Sequence, residues 1–548
     1  MTREDSKVIG ADAIVKCLEI EGVKNVYGYP GVAICPFYNS ILGSDIRTIL
    51  VRTEQNAAHM ASGEARISGK PGVCAVTSGP GATNVITGIA TAFADSIPMI
   101  IITGQVNSEL LGSDVFQEAD ITGAVESFVK YSYLVKDAND LPRIMKEAFY
   151  IASTGRKGPV LIDIPIDIQN QTLKNFRYPE EVNLRTYKPT FKGNTQQIKK
   201  VIRELENAKK PIICAGGGVF LANADDELQK FAEKKGIPVV STMMGIGVLP
   251  TAHPLYFGMV GNNGKPYANK AMNDADVIIM IGARVADRAV NRPELISNGN
   301  KTLIHMDVDP AEIGKNAYST IPLVGDAEAI LEELTASETD ADYSAWVKEL
   351  TAARKAFKPS RKPSSKFVDP AEFVKQLTTD MIDGSIYVAD VGQNQIWSCA
   401  NIVIGKGRML TSGGMGTMGY AIPAALGAKI AAPKRQTVAV CGDGGFQMSM
   451  CELATFVQHN VQAKIVVLRN GYLGMVREYQ HYTYNDDYSM VKLDGDPDLE
   501  HIAAAYGFDY LKLDNMKDSK AVIRKFLNDK KNVLLECIVD PKDVVKPE

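Results

Sequence analysis

Long apolar runs are missing from this 548-residue chain. The strongest, Pro98-Met99-Ile100-Ile101-Ile102, stops at Thr103-Gly104, far short of the roughly 18 residues that a membrane-crossing helix needs. Charge of one sign is missing too: 60 Lys and Arg stand against 64 Asp and Glu, a formal net charge of −4. No basic field exists to displace counterions from a phosphate backbone, which argues against nucleic-acid binding. Eight cysteines are scattered without a CxxC pair. That disfavours a zinc or iron–sulfur site and a disulfide framework, and fits a reducing, cytoplasmic compartment. The opening MTREDSKVIG carries charge and no apolar core, unlike a secretory leader. There is no short repeat and no low-complexity tract. What is present, 45% hydrophobic and 23% charged residues, is the composition of a large globular enzyme with three or four domains.

A strand, a Gly-rich turn and a helix follow one another repeatedly: VCAVT before SGPGATN, IICA before GGGVF, VIIMI before GARVADR, TVAVC before GDGG. Short β-branched runs, each followed by a longer segment, predict parallel sheets with helices on both faces, an α/β doubly wound class. Ligands of such sheets sit outside the carboxyl ends of the strands. The periodicity lapses at about Thr172–Gln197 and again in the Lys-, Pro- and Ser-rich stretch 352–370. Both read as surface linkers. They divide the chain into 1–175, 195–345 and 368–548.

The segment QTVAVCGDGGFQMSMCELATFVQHNVQAKIVVLRNGYLG carries the most chemistry. Thr437–Cys441 predicts a buried strand, Gly442-Asp443-Gly444-Gly445 a sharp turn, and Phe446 to about His459 one helix with Met448, Cys451, Leu453, Phe456 and Val457 inward. Lys464–Leu468 predicts the next strand, ending at Asn470. A right-handed crossover sets the two strands parallel, so Asp443 and Asn470 project from one sheet edge. A carboxylate and an amide oxygen suit Mg²⁺, which shares its shell with phosphate oxygens. Gly442 and Gly444 let backbone N–H groups approach an anion. The bland alternative is a tight turn whose Asp caps the helix. Nearby, Gly414-x-Gly416-x-x-Gly419 matches a dinucleotide fingerprint but follows no clear strand. Farther upstream, Glu54 stands where a strand ending near Arg52 gives way to a helix from about Gln55. Alone, it reads as a charge favoured by the helix dipole.

GDG followed by a helix, a strand and an Asn resembles the signature of the thiamine diphosphate enzymes. Where that superfamily has two adjacent Asn, this chain has Arg469-Asn470. The resemblance implies Mg²⁺ held by Asp443, Asn470 and the carbonyl of Tyr472, and the diphosphate held near Gly442, Gly444 and Gln393. It makes Glu54 the activating carboxylate, bonded to the aminopyrimidine so that its imino tautomer can take the proton from thiazolium C2. Met418 matches the wedge that folds the two rings together; the alternative is a core Met. In the superfamily, the two halves of one cofactor site come from different chains, implying a homodimer or homotetramer.

The chain resembles, along nearly its whole length, the acetolactate synthase (acetohydroxyacid synthase) catalytic subunits. TSGPGATNVITGIATAFADSIPMIIITGQV, GSDVFQEADI, DVGQ, TSGGMGTMGY and GYLGMVREYQ carry the likeness. It implies decarboxylation of pyruvate and transfer of the two-carbon unit to a second 2-oxo acid, with pyruvate giving 2-acetolactate. Arg288 matches an arginine that grips the acceptor carboxylate. Phe116, Gln117 and Lys130 match positions beside the substrate. Arg156, Gly216, Gly217, Gly218, Arg284, Asp307 and Asp326 match positions that hold FAD, which has no net redox role there; the glycines could merely end a strand. Departures are Val285-Ala286 inside the family's RFDDR, Tyr479 for a Trp and Asn262 for a Met. The last two predict a smaller or more polar acceptor pocket and weaker preference for 2-oxobutyrate. Thr53 and Asn56 replace the family's His and Gly around Glu54-Gln55. A separate regulatory subunit is a further implied partner. A pyruvate oxidase-type oxidoreductase, a plain 2-oxo-acid decarboxylase and a nucleotide-binding regulatory protein are the competing readings.

Overall fold

The apolar, β-branched runs do extend, because their side chains crowd a helical turn but pack well on a pleated surface. The computed structural model of the chain describes residues 7–290, 292–299, 301–338 and 341–545. The amino-terminal hexapeptide and the outer limits of divisions 1–175 and 368–548 therefore lie outside the described residues. Three six-stranded sheets are present, and every ladder in them is parallel.

The first sheet comprises β1 (Asn25–Tyr29), β2 (Arg47–Leu50), β3 (Gly72–Val76), β4 (Met99–Gln105), β5 (Tyr131–Leu134) and β6 (Pro159–Pro165), in the order β2-β1-β3-β4-β6-β5. The second comprises β7 (Pro211–Ala215), β8 (Val239–Ser241), β9 (Tyr256–Met259), β10 (Val277–Ile281), β11 (Thr302–Asp307) and β12 (Ile321–Val324), in the order β12-β11-β10-β7-β8-β9. The third comprises β13 (Ile386–Ala389), β14 (Arg408–Leu410), β15 (Thr437–Gly442), β16 (Lys464–Arg469), β17 (Asp509–Leu513) and β18 (Val533–Ile538), in the order β14-β13-β15-β16-β18-β17. The first and third sheets thus share one topology, although no repeat is visible in the sequence. Central strands such as β10 are buried along their whole length, as expected when helices cover both faces.

Packing groups the described residues into two units. The first holds the chain up to Lys188 together with Ser412–Lys434 and Gln447–Ala463. The second holds Pro189–Thr411, Arg435–Phe446 and the chain from Lys464 onward. In the first unit, the helix Ala421–Ala431 lies directly on the helix Glu54–Ser68. A Cβ at Gly63 would stand 2.1 Å from the Ala424 carbonyl oxygen, and one at Gly427 would stand 1.9 Å from that of Met60. The contacts 63/424 and 60/427 run in opposite senses, so the helices cross antiparallel, backbone against backbone. Ser62 Oγ and Tyr420 Oη, 3.0 Å apart, pair beside the crossing.

Three local expectations change. Gly442 is the last residue of β15 and the helix starts at once with Asp443, so there is no separate turn. The carboxylate of Asp443 itself serves the backbone amides that a turn would have served. The helix expected over 446–459 is broken. An α segment Asp443–Ser449 gives way to a 3-10 turn Met450–Glu452 and then to Leu453–Gln458. The break rotates Met448 and Val457 outward and turns Glu452 fully inward. Finally, a short strand, β14, does precede the Gly414–Gly419 motif; at three residues it is too brief to show a period.

The crossing makes a prediction whose sign is diagnostic. By helix propensity alone, Gly427→Ala would stabilise by about 1 kcal/mol. Because the added methyl meets backbone, the substitution should instead destabilise by about 1–3 kcal/mol, read as a lowered urea midpoint.

Candidate active site

At the edge of the third sheet, β15 and β16 are neighbours with Gly442 opposite Leu468. Asp443 and Asn470, each one residue past its strand, therefore lie side by side. Asp443 Oδ2 accepts from the backbone N–H of Asn470 (3.0 Å) and Gly471 (2.6 Å), and Oδ1 from Gly444 N–H (3.0 Å). Burial nonetheless pushes this carboxyl up to about 6, with nearby Asp496 adding to the rise against those three donors. Asn470 Oδ1 accepts from the N–H of Tyr472 (2.9 Å), and its Nδ2 donates to Gln393 Oε1 (3.3 Å). Gln393 Nε2 in turn donates to Glu478 Oε2 (2.8 Å) and to the Asp543 carbonyl (3.0 Å). A carboxylate and an amide oxygen are hard donors of the kind Mg²⁺ takes. Space lies beside them: a Cβ on Gly442 would have Leu468 O at 3.9 Å as its nearest neighbour. A desolvated carboxylate raised in this way gains from a divalent cation, so the residues present fit the group.

In the first unit, Glu54 is the first residue of its helix and is half-buried. Its Oε2 accepts from Asn84 Nδ2 at 3.0 Å. A Cβ on Gly81 would approach Glu54 Oε1 to 3.5 Å, and one on Gly79 would approach Gln117 Cα to 2.9 Å. The turn Ser78-Gly79-Pro80-Gly81 thus brings Glu54 and Gln117 around one small-residue surface. Gly79 and Gln117 both hold positive φ, 56° and 61°; Gly79 does so without strain, Gln117 at some cost. Phe116 projects with 87% of its surface exposed.

The backbone on either side of this site is held by buried carboxylates that sequence reasoning did not single out. Glu452 Oε1 accepts from Arg52 N–H (2.9 Å), Thr53 N–H (3.2 Å) and Asn56 Nδ2 (3.0 Å), and Oε2 from Thr455 Oγ1 (2.6 Å). Asp95 accepts from Gly413 N–H (3.1 Å), Gly414 N–H (2.7 Å) and Arg66 (2.6 Å). Met418 is half-buried in that same 411–420 loop, which Thr417 and Thr91 also tie, oxygen to oxygen, at 2.7 Å. The available signal was a charged residue inside an otherwise apolar helical pattern, MSMCELATF.

Elsewhere the picture is mixed. Asn262 N–H donates to Arg288 O (3.1 Å), so these two expected acceptor residues sit together in the second unit, with the Arg288 side chain 79% exposed. Tyr479, on the helix Gly474–Tyr484, is exposed and packs edge-on to Tyr484. Lys130, expected beside the substrate, ties down a turn of its own unit. Its ammonium donates to the carbonyls of Ile151 and Thr154 and to Tyr187 Oη. Gly216–Gly218 follow β7, Arg284 follows β10, Asp307 ends β11 and Asp326 follows β12, so they line one edge of four adjacent strands. Three of these have internal duties. Gly216 and Gly218 pack on the backbone of Gly282, and Asp326 Oδ1 accepts from Glu328 N–H as a helix cap. Arg156 lies in the first unit, where its Nε donates to Ser96 Oγ (3.0 Å).

The loop that carries Phe116 and Gln117 is anchored through Gln105, whose Nε2 donates to Ala119 O (2.8 Å) and Asp163 Oδ2 (3.0 Å). Burial lifts the Asp163 carboxyl from 3.8 to about 7, although Thr103 and Gln105 both donate to it. A carboxyl whose folded value lies above its unfolded one holds its proton more tightly when folded. Stability from this group is therefore present at low pH, falls as pH rises from about 4 to about 7, and is gone above that. Asp163→Asn should flatten the pH dependence of the urea midpoint, removing about 2–3 kcal/mol of the loss between pH 5 and pH 8.

Three family models match the chain: thiamine pyrophosphate enzyme, N-terminal TPP binding domain, at residues 9–124; central domain at 198–334; and C-terminal TPP binding domain at 390–537. The chain is 42% identical to the acetolactate synthase large subunit of Haemophilus influenzae, across 99% of this chain and 96% of that protein. It is 41% identical to the probable acetolactate synthase large subunit of Methanocaldococcus jannaschii, across 98% and 93%. With the Lactococcus lactis acetolactate synthase large subunit the figures are 40%, 98% and 94%. The parallel three-sheet architecture, the Asp443–Asn470 strand edge and these matches together make the chain a member of the thiamine pyrophosphate enzyme family, in the group of the acetolactate synthase large subunits.

Proposed function

We propose that this chain is the catalytic subunit of an acetolactate synthase, a transferase of branched-chain amino-acid biosynthesis. It decarboxylates pyruvate and passes the two-carbon unit to a second 2-oxo acid, giving 2-acetolactate when the acceptor is pyruvate. The observation that carries this reading is the oxygen-donor edge of Asp443 and Asn470, in a chain 40–42% identical to acetolactate synthase large subunits over nearly its full length.

Thiamine diphosphate, when bound, supplies the electron sink for decarboxylation. Asp443, Asn470 and the Tyr472 carbonyl would hold Mg²⁺, with Gly442, Gly444 and Gln393 beside the diphosphate. Glu54 would bond to the aminopyrimidine and favour the tautomer whose exocyclic nitrogen can act as base. Met418 would wedge the rings. Gln117 and Phe116 border the donor side, and Arg288 grips the acceptor carboxylate. Asn262 and Tyr479 shape the acceptor pocket. FAD would be held by Gly216–Gly218, Arg284, Asp307 and Asp326 along the edge of β12-β11-β10-β7; Arg156 is assigned to the same cofactor by resemblance alone. The working divisions of the chain are 1–175, 195–345 and 368–548.

The active form is a homodimer or homotetramer, in which Glu54 of one copy serves the Mg²⁺ site of another. The relatives are named large subunits, which supports pairing with a smaller regulatory subunit. Among the described residues no helix is long and apolar enough to cross a membrane, and a cytoplasmic location fits the unpaired thiols of the sequence.

Purified protein given pyruvate, thiamine diphosphate, Mg²⁺ and FAD should form acetolactate. Oxygen uptake or acetaldehyde as the main outcome would refute the assignment. Glu54→Gln should retain the fold and lower kcat by at least about 100-fold, within the range for loss of a general acid–base group. With pyruvate and 2-oxobutyrate supplied together, the acceptor selectivity should be shallow; a strong bias to 2-oxobutyrate would sink the roles given to Asn262 and Tyr479.

A further inference from the structure

The first and third sheets share one strand order, so their connections correspond. The helix after the second strand is Glu54–Ser68 in one and Ala421–Ala431 in the other. The helix after the third strand is Pro80–Ala94 in one and the broken helix from Asp443 in the other. Asp95 directly follows the first of these latter helices, Glu452 lies in the break of the second, and both carboxylates are buried.

Each carboxylate accepts from two consecutive backbone amides of the opposite half, just past that half's second strand. Glu452 takes Arg52 and Thr53, immediately before Glu54. Asp95 takes Gly413 and Gly414, at the start of the loop that carries Met418. Both pairs of amides lie between a strand end and a helix start, where neither a ladder nor a helix carbonyl is available. Each carboxylate has a companion donor on the facing helix or its own: Asn56 and Thr455 for Glu452, Arg66 for Asp95. Gly414 has no Cβ to obstruct the approach; one there would come within 2.9 Å of Ala94. The Glu452 side is further stapled by Arg52 to Gln458 Oε1 (2.7 Å) and by Leu50 N–H to His459 Nε2 (3.1 Å).

We propose that Glu452 and Asp95 are reciprocal positioning residues: Glu452 sets the backbone that aims Glu54, and Asp95 sets the loop that presents Met418. This deepens the function proposed above and rests on its reading of Glu54 and Met418. Two consecutive amides on one buried anion cannot rotate without both losing their acceptor, and charge-assisted bonds are the stronger kind. A catalytic carboxylate on such a junction keeps its direction without being buried itself. A displacement of about 1 Å at a reacting group costs on the order of 100-fold in rate, which sets the expected effect.

The test uses the full-length protein. In the cofactor-free form, amide hydrogen exchange read by mass spectrometry should be at least about tenfold faster at residues 50–56 in Glu452→Ala, with residues 411–418 as in wild type. Asp95→Asn should give the mirror result. Glu452→Gln, which keeps a neutral oxygen, should fall between wild type and Glu452→Ala, and it decides the question alone should the Ala variant not fold. With thiamine diphosphate and Mg²⁺ added, hydrogen–deuterium exchange at the cofactor's C2 should slow about 10–100-fold in Glu452→Ala, while cofactor Kd stays within about threefold. Wild-type amide protection at 50–56 in the Glu452 variants overturns the proposal. So does lost protection there with an unchanged C2 rate. A wild-type C2 rate in Glu54→Gln would instead overturn the reading of Glu54, and the amide measurement would still decide whether Glu452 holds the turn.

Discussion

Two helices can touch backbone to backbone only where neither places a side chain in the way, and Gly63 and Gly427 meet that condition for Glu54–Ser68 and Ala421–Ala431. Much of the first unit depends on that approach. It brings segments from the last third of the chain, 412–434 and 447–463, against the first sheet's helices. It also puts Tyr420 within reach of Ser62, with the Arg66 guanidinium 5.5 Å from the Tyr420 ring. Were the helices held apart by even one methyl, the shorter polar reaches from Asp95 and Glu452 would lengthen beyond hydrogen-bonding distance.

Buried charge is tolerable there because it is fully engaged. Asp95 has an arginine and two amides; Glu452 has two amides, an amide side chain and a hydroxyl. Taking one partner from such a group leaves a desolvated charge, typically a loss of about 3–5 kcal/mol. Glu54 presents the opposite case, a half-buried carboxylate with a single side-chain donor, Asn84, among the described residues. The two sealed anions are saturated by donors, whereas Glu54 keeps part of its carboxylate open. Asp443 stands between these extremes: it serves three amides, yet burial still raises its carboxyl to about 6.

Much of this was legible beforehand, in particular places. Val277–Ile281 and Thr437–Cys441 are short, mostly apolar and rich in β-branched residues, so their burial in parallel sheets follows from composition. Asp443 and Asn470 came out adjacent because crossover handedness leaves little choice once both strands are recognised. The break at Met450–Glu452 was not legible, because MSMCELATF has acceptable helical spacing throughout. What breaks it is a carboxylate drawn to amides some 400 residues earlier in the chain. Nor could the motif around Lys130 show that the carbonyls of Ile151 and Thr154 take its ammonium.

The sequence by itself determined the α/β class, several of the buried strands, the resemblance to thiamine diphosphate enzymes and the choice of Glu54, Asp443 and Asn470 as the residues to watch. These follow from local patterns: period, chain order and residue type within a few dozen positions. Only the tertiary structure decided that the first and third sheets share a strand order and that Gly63 and Gly427 are contact residues. It alone showed that Glu452 and Asp95 each accept from two consecutive backbone amides of the other half. Those are relations between segments some 300–400 residues apart. They rest on close packing and on satisfying buried polar groups, and neither leaves a periodic trace in a linear chain.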